Sequence, residues 1–428
     1  MTAARVILIL DMSYTPAMFQ ERQLEQALES RKLGGYFDRV ISVHPLAGLF
    51  ESGAARYGRP RVTRLDASHV FVEGRIGIGR WLDVLPPLNL LFAQLLLLRL
   101  VLRMSREAGV VVVRAGDPYY LGLLGWIVAK VLRVPLAVRV PIRYDEVRRA
   151  TGRATMPRLL RFIWVEKRLE RFIFPRCDLV AGANEDNRQY AVENGARAEV
   201  STVFRYGNLL HRSHWTEPHL RPSADADLDD IGLRGARFVA TVARLEPEKH
   251  TGDAIRAVGE LVRRGLDVLG LIVGDGSQRE ELERCARDLG LQDRVIFAGN
   301  RTQEWLARVL PRASVIVSPH MGRALVEAAL ASVPLVAYDY DWQREVVVDQ
   351  ETGYLVGSGD WRGMTDAVER LLQDPALARR LGDQARRRTA AMMDPEALMR
   401  HEQMVYADLL DRWRTRSLMS SRQAHGSY

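Results

Sequence analysis

The fold class predicted for this chain is α/β, with two doubly wound parallel domains. Three observations predict it: the length, an alternation of short apolar runs with helical patterns, and a restart of that alternation half-way along. At 428 residues the chain exceeds the size at which one hydrophobic core stops growing, so two domains are expected. In the first half RVILILDM is followed by the helix-like MFQERQLEQALES and then DRVISVHP; VVVVR, from Val110 to Arg114, is followed by YYLGLLGWIVAKVLR and PLAVRV. Strands alternating with helices of this length favour a parallel sheet.

After Arg237 the rhythm begins again. Strands are expected at FVATVA, LGLIVG, RVIFAG, SVIVSP and PLVAYD, with helices opening near Lys249, Ser277, Thr302 and Gly322. Between the halves, EPHLRPSADADLDDIGLRG is rich in Pro, Asp and Ala with no apolar period, which reads as a linker. The expected organisation is a first domain over 1–215, a linker over 216–234, a second domain over 235–400, and a C-terminal helix with a disordered tail over 401–428. The two Rossmann-like domains are expected to face each other across a cleft.

Composition narrows the class. Apolar residues make up 47%, enough for ordinary globular cores. The only cysteines are Cys177 and Cys285, too few for a disulfide framework or a cysteine metal site. The opening MTAARVILILDMSYTP lacks the basic, apolar and small-residue succession of a secretory signal, so a cytoplasmic location is expected. The net charge is +8, which suits an anionic partner: nucleic acid, an acidic membrane surface or a phosphorylated substrate. Only Lys32, Lys130, Lys167 and Lys249 are lysines among 61 basic residues, a bias that reads as base composition rather than recognition. No module interleaving basic residues with aromatics is recognisable, so no nucleic-acid partner is expected.

Two segments bear on membranes. PPLNLLFAQLLLLRLVLRM, Pro86 to Met104, is apolar but interrupted by Asn89, Gln94, Arg99 and Arg103. It is too short and too charged to span a bilayer, and reads first as a buried helix, second as an interfacial one. MPRLLRFIWVEKRLERFIF, residues 156–174, mixes apolar and aromatic residues with arginines; from Arg139 to Arg176 eleven basic residues face four acidic ones. A basic amphipathic helix of this kind can lie on anionic lipid, and a solvated helix face is the equal alternative.

Candidate binding residues cluster in the second half. In RFVATVARLEPEKH an apolar run stops at Arg244, and Lys249 follows Pro247 just before a helical pattern. Ligands of a doubly wound sheet sit beyond the carboxyl ends of the strands, so both cations can reach a pyrophosphate there; Glu246 and Glu248 are the competing partners. VGDGSQREELE places Gly274 to Gly276 between a strand and a helix, where a backbone can approach a ligand closely. SPHMGRALVEAAL places Gly322 at a helix start, with Arg323 and Glu327 one turn apart. The histidines of HRSHWTEPH lack a matching Cys or carboxylate cluster, so no metal is expected.

The succession VARLEPEKH, VGDG, RVIFAGN, PHMGRALVEAALASVPLVAYDYDWQREVV and TGYLV resembles the C-terminal domain of GT-B glycosyltransferases of the GT4 group. The first half resembles the family more loosely, through VVRAGDPYYLG and through TVFRYGNL at the place of the family's Asn-Gly turn. The resemblance implies that Arg244 and Lys249 bind a donor diphosphate. It implies that the amides around Gly322, Arg323 and Ala324 hold the distal phosphate, that Glu327 takes the ribose hydroxyls, and that Asn300 and Arg301 lie near the base. Gly274, Gly276 and His320 join the expected donor site. Retention of configuration, no cofactor and no metal are further implications. The expected partners are a nucleoside-diphosphate sugar and a glycan or lipid-linked acceptor, with an anionic membrane surface as a further expectation through 156–174.

The sequence also departs from that family. Pro319, followed by His320, stands where the family has its first Glu, eight residues before Glu327; Pro141 and Ile142 replace a His-Gly pair; DMSYTPAM replaces a Gly-rich first loop. Asp117 and Arg139 are the expected groups near the reacting centre, with a helix cap as the competing role for Asp117. A sugar-nucleotide epimerase and a catalytically silent partner protein are the alternative functions.

Overall fold

The computed structural model describes residues 4–21, 25–156, 159–206 and 210–425. The chain divides into two compact units, residues 1–209 with 395–428, and residues 210–394.

The first unit runs β1 (Val6–Leu10), α1 (Pro16–Glu21), α2 (Glu25–Arg31), β2 (Arg39–His44), β3 (Arg61–Arg64), β4 (His69–Glu73), α3 (Pro86–Ala108), β5 (Val110–Ala115), α4 (Tyr120–Leu132), β6 (Leu136–Val140), α5 (Tyr144–Thr151), α6 (Ile163–Ile173), β7 (Leu179–Gly182), α7 (Glu185–Glu193) and β8 (Ser201–Val203). Among the described residues its sheet has eight strands in the order β3-β4-β2-β1-β5-β6-β7-β8. Every pairing is parallel except β3 with β4. The strand VILIL is buried at every position, as expected where helices cover both faces of a parallel sheet. Val6, Leu8 and Leu10 pack against α3, α4 and α6. Ile7 and Ile9 pack on the opposite layer, with Phe37 and with Tyr406, Leu409 and Leu410 of the C-terminal helix.

The second unit runs α8 (Asp225–Asp230), β9 (Phe238–Val242), α9 (Thr251–Arg263), β10 (Leu269–Val273), α10 (Arg279–Asp288), β11 (Val295–Gly299), α11 (Gln303–Val309), β12 (Val315–Ser318), α12 (Ala324–Ala329), β13 (Leu335–Tyr338), α13 (Gln343–Val346), β14 (Gly353–Val356), α14 (Trp361–Gln373) and α15 (Pro375–Met393); α16 (Pro395–His425) then returns the chain to the first unit. Its described strands form an all-parallel sheet of six, ordered β11-β10-β9-β12-β13-β14. Helices α9, α10 and α14 pack on one face and α11 and α12 on the other, with α15 reaching both layers. The five strands expected in this half all form.

Three expectations are corrected. Residues 216–234 are not a linker: Ala224, Leu228 and Leu233 are buried in the core of the second unit with Phe238 and Trp305, because those spaced apolar residues close a short helical turn onto the sheet. The tail from Thr415 is helical as far as His425, and residues 426–428 lie outside the described ones. The segment 86–104 is a helix but not a buried one. Only the stripe Asn89, Ala93, Leu97, Val101 and Ser105 is fully covered; Leu98, Leu100, Leu102 and Met104 flank the core half-buried, and Leu88, Leu91, Phe92, Leu95 and Leu96 are exposed.

Candidate functional site

The second sheet reverses its strand order between β9 and β12: from β9 the chain steps to β10 and β11 on one side, then returns to β12 on the other. Such a switch point opens a crevice beyond the carboxyl ends of the two strands. Arg244 and Lys249 follow β9, and His320 to Glu327 follow β12.

Lys249 ends a short turn, Pro247 to Lys249, and His250 adopts φ +51° before α9 begins. A Cβ placed on Gly322 would lie 3.8 Å from Lys249 Nζ, so the loops after β9 and β12 meet at these two residues. Gly322 has φ +68°, a backbone setting that favours glycine. Burial lowers the pKa of Lys249, and neighbouring Arg244 lowers it further, against the opposing pull of Glu248 and Asp341. An anion at this point would relieve both terms. The side chain of Arg244 is 73% exposed, 3.4 Å from Glu248.

His320 joins the same loops. Its Nδ1 lies 3.0 Å from the Glu248 carbonyl and its Nε2 3.3 Å from Asp341. The ring meets Tyr340 edge-on, at 5.1 Å between centroids. Pro319 faces the fold: its carbonyl accepts a 3.0 Å hydrogen bond from Gln343, whose side chain also meets Ser318.

Gly274 and Gly276 serve this arrangement from β10. A Cβ on Gly274, at φ +133°, would fall 1.8 Å from the Ala243 carbonyl, so only glycine lets this turn rest on the strand end that carries Arg244. Leu245 N donates to Asp275 O at 3.0 Å, and Ser277 Oγ to Glu246 at 2.5 Å. Glu246 is thus taken up in tying the two turns together, leaving Glu248 as the partner of Arg244.

Glu327, in α12 behind Ala324, is buried. Burial raises its pKa, opposed by Arg323, 3.9 Å away, and by a hydrogen bond from Gln303. Gln303 in turn lies 2.8 Å from His214 Nε2. Burial pushes His214 down to about 4, so this histidine is a neutral support for Gln303. His211 lies 3.1 Å from Glu304, and among the described residues no three His, Cys, Asp or Glu side chains gather as a metal site. Sequence reasoning missed Gln303 and Asp341. The Thr302 side chain caps α11, a visible signal for where Gln303 would stand but not for its contact with Glu327. Asn300 is exposed, whereas Arg301 is held by the Ala298 carbonyl at 2.9 Å, by Asp230 at 3.8 Å and over the Trp305 ring.

The two candidates of the first unit are engaged within it. Asp117 Oδ1 accepts from Tyr119 N at 2.8 Å and Leu121 N at 3.3 Å, which is the capping role at α4; burial pushes its pKa up to about 7. Arg139 donates to the Phe204 carbonyl at 2.9 Å, pairs with Glu402 of α16 at 3.2 Å and lies over the Phe204 and Tyr206 rings. Its contacts attach the C-terminal helix to β6. Close by, Arg148 donates to Tyr119, Glu166, Asp145, Glu170 and Tyr190 at 2.8–3.1 Å. Both glutamates are buried. The Asn-Gly position of TVFRYGNL, at Gly207 and Asn208, lies outside the described residues.

Residues 227–388 match the family "Glycosyl transferases group 1". Over 158 residues the chain is 35% identical to the alpha-D-kanosaminyltransferase of Streptomyces kanamyceticus, covering 36% of this chain and 41% of that protein. Over 281 residues it is 31% identical to the D-inositol 3-phosphate glycosyltransferase of Nocardia farcinica, covering 62% and 59%. The chain thus spans about half the length of such relatives. The crystal structure of Anabaena HepE in complex with UDP and glucose superposes with a TM-score of 0.65 at 19% identity, over 94% of this chain and 100% of that one. The two parallel-dominated α/β sheets are thus like those of GT-B glycosyltransferase structures, and the segment 227–388, most of the second unit, is similar to the group 1 glycosyl transferases.

Proposed function

We propose that this protein is a retaining glycosyltransferase of the GT4 type, moving a sugar from a nucleoside-diphosphate sugar to a glycan or lipid-linked acceptor without a bound metal. One observation carries the reading: Lys249 Nζ stands 3.8 Å from the Cβ position of Gly322, at the switch point where a diphosphate would lie. Negative charge grows on the leaving diphosphate as the glycosidic bond breaks, and fixed cations there lower the barrier. Lys249 is already half-desolvated, so it needs little reorganisation to meet that charge. Arg244, exposed at the rim, would close on the outer phosphate. Glu327, held by Arg323 and Gln303, would accept hydrogen bonds from a ribose hydroxyl pair. The Pro319 carbonyl supports Gln343, so the donor sugar would be read by His320 and its Asp341 partner instead of a carboxylate at position 319. The acceptor proton would pass to the leaving phosphate oxygen, and positioning would supply the rest of the rate. UDP and glucose bound to HepE support a nucleoside-diphosphate sugar as donor. Cytoplasmic location, with attachment at the inner membrane surface, fits a donor of that kind.

The test is a panel of nucleotide sugars offered with glycan and lipid-linked acceptors, with proton NMR of the anomeric centre of the product. The reading expects an acceptor-dependent product that keeps the donor's configuration and forms equally well with a chelator present. Conversion of the donor without any acceptor would instead identify an epimerase, and inertness towards every donor a silent partner protein.

A further inference from the structure

Helix α3 and the turn before it, from Arg80, carry an outward face divided along its length. Trp81, Val84, Leu88, Leu91, Phe92 and Leu95 are exposed, Trp81 by 72% and Val84 by 81%. One to three turns further on the same stripe becomes Arg99, Arg103 and Arg106, all exposed. No carboxylate occurs between Val84 and Arg106; Glu107 is paired with Arg103 at 2.8 Å. Gln94 fixes the height of the helix. Its side-chain amide donates to the carbonyls of Pro45 and Arg75 and accepts from Tyr120, just past the ends of β2 and β4. The turns before Gln94 therefore stand beyond the carboxyl edge of the first sheet, with the arginines behind them.

A second element repeats the arrangement. Phe162, Ile163 and Trp164 are exposed at the start of α6, Trp164 by 65%, followed by exposed Arg168 and Arg171. The carboxylates of this helix, Glu166 and Glu170, are buried against Arg148, so they leave its surface positive. Helix α4 lies between α3 and α6, joined to them through Tyr120–Gln94 and through Trp126 stacked edge-on with Phe172 at 5.1 Å. Exposed apolar patches of this breadth mark interaction sites.

We propose that the starts of α3 and α6 form one membrane-docking surface, in which the apolar and aromatic side chains enter the interfacial region of an anionic bilayer while the arginines contact lipid phosphates. The charge decides the occupant: apolar insertion backed by two single-sign arginine rows complements an anionic lipid surface. The surface is broader than the 156–174 segment, and its main apolar contribution comes from the helix expected to be buried. Resting on the glycosyltransferase reading, the same surface selects a lipid-linked acceptor over a soluble glycan; the docking itself does not depend on that reading.

The full chain is sedimented with phosphatidylcholine vesicles, with and without phosphatidylglycerol, alongside the double variants Leu91→Glu/Leu95→Glu and Arg99→Glu/Arg103→Glu. The proposal expects partition onto the anionic vesicles, a loss of about ten-fold or more in each variant, and salt sensitivity that disappears in the arginine variant. All substituted positions are exposed, so thermal unfolding and its shift by nucleoside diphosphate should match the unmodified chain; that shift reports on the donor reading separately. Failure of the unmodified chain to bind, or binding by both variants equal to that of the unmodified chain, overturns the proposal. So does a dimer in gel filtration that Leu91→Glu/Leu95→Glu converts to monomer, which would make a second copy the occupant.

Discussion

At the carboxyl edge of the second sheet, Lys249 is a desolvated cation beside a glycine turn and Arg244 an exposed one with a single weak partner. At the same edge of the first sheet, Asp117 caps a helix, Arg139 is divided between Glu402 and a carbonyl, and Arg148 is engaged by three carboxylates and two phenols. The same residue types stand at equivalent places in similar folds. They differ in whether the fold already satisfies their charge: a charge with internal partners holds structure, and one left short of them can serve a ligand. Five substitutions test that division.

The largest effect is expected at Arg148. Arg148→Ala removes the cation paired with buried Glu166 and leaves buried Glu170 with Lys167 as its cation, and should cost about 3–5 kcal/mol of stability, read by denaturant unfolding, with nucleoside-diphosphate binding retained in whatever remains folded. An unchanged unfolding midpoint would remove the structural role given to this cluster.

Next come the two cations of the second unit. Lys249→Ala and Arg244→Ala should each lose about 2–4 kcal/mol of transition-state stabilisation in kcat/KM at nearly constant Tm. Turnover at the original rate in both would break the contrast between the two edges.

Asp117 sharpens it through pH. Its folded pKa is raised from 3.8 to about 7, so its contribution to stability is complete below about pH 3.8 and is lost as pH rises through 7. The slope reaches at most about 1.4 kcal/mol per pH unit. Asp117→Asn keeps an acceptor for the cap while removing the proton, so it should flatten the unfolding profile between pH 4 and 7 and be more stable than the parent at pH 8. The same profile in both proteins would show that the carboxyl is already ionised in the fold.

Glu327 is expected to give the smallest change in stability and one of opposite sense to its functional effect. Its raised folded pKa means that burial penalises the ionised form in the fold relative to the unfolded chain. Glu327→Gln should therefore raise the Tm of the free protein slightly and weaken nucleoside-diphosphate binding. A variant that loses stability would show the carboxylate to be structural.

The contrast also explains what could be read from the sequence. Strands such as VILIL and FVATV are legible because both faces are buried and the run is uniformly apolar. RVTR carries little strand signal because it is an exposed, charged edge strand, and LVAG because four residues carry too little pattern. The apolar content of PPLNLLFAQLLLLRLVLRM announced a helix correctly but not which side of it is covered, since coverage depends on which stripe faces the sheet. In the second unit the order of Arg244, Lys249, Gly322 and Glu327 was legible because each sits at a strand-to-helix junction, a local property. Gln303 and Asp341 were not, because their roles exist only through contacts with Glu327 and His320 from distant loops. Asp117 and Arg139 looked functional for a related reason: the partners that occupy them, a backbone turn and a helix some 260 residues further along, leave no trace beside them in the chain.

The most direct measurement is isothermal calorimetry of a panel of nucleoside diphosphates against the unmodified protein and Lys249→Ala. With Lys249 and the Gly322 turn cradling the diphosphate, at least one nucleoside diphosphate binds the unmodified protein and its Kd rises about 30-fold or more in the variant, equivalent to about 2 kcal/mol. An identical Kd for both proteins would contradict the account.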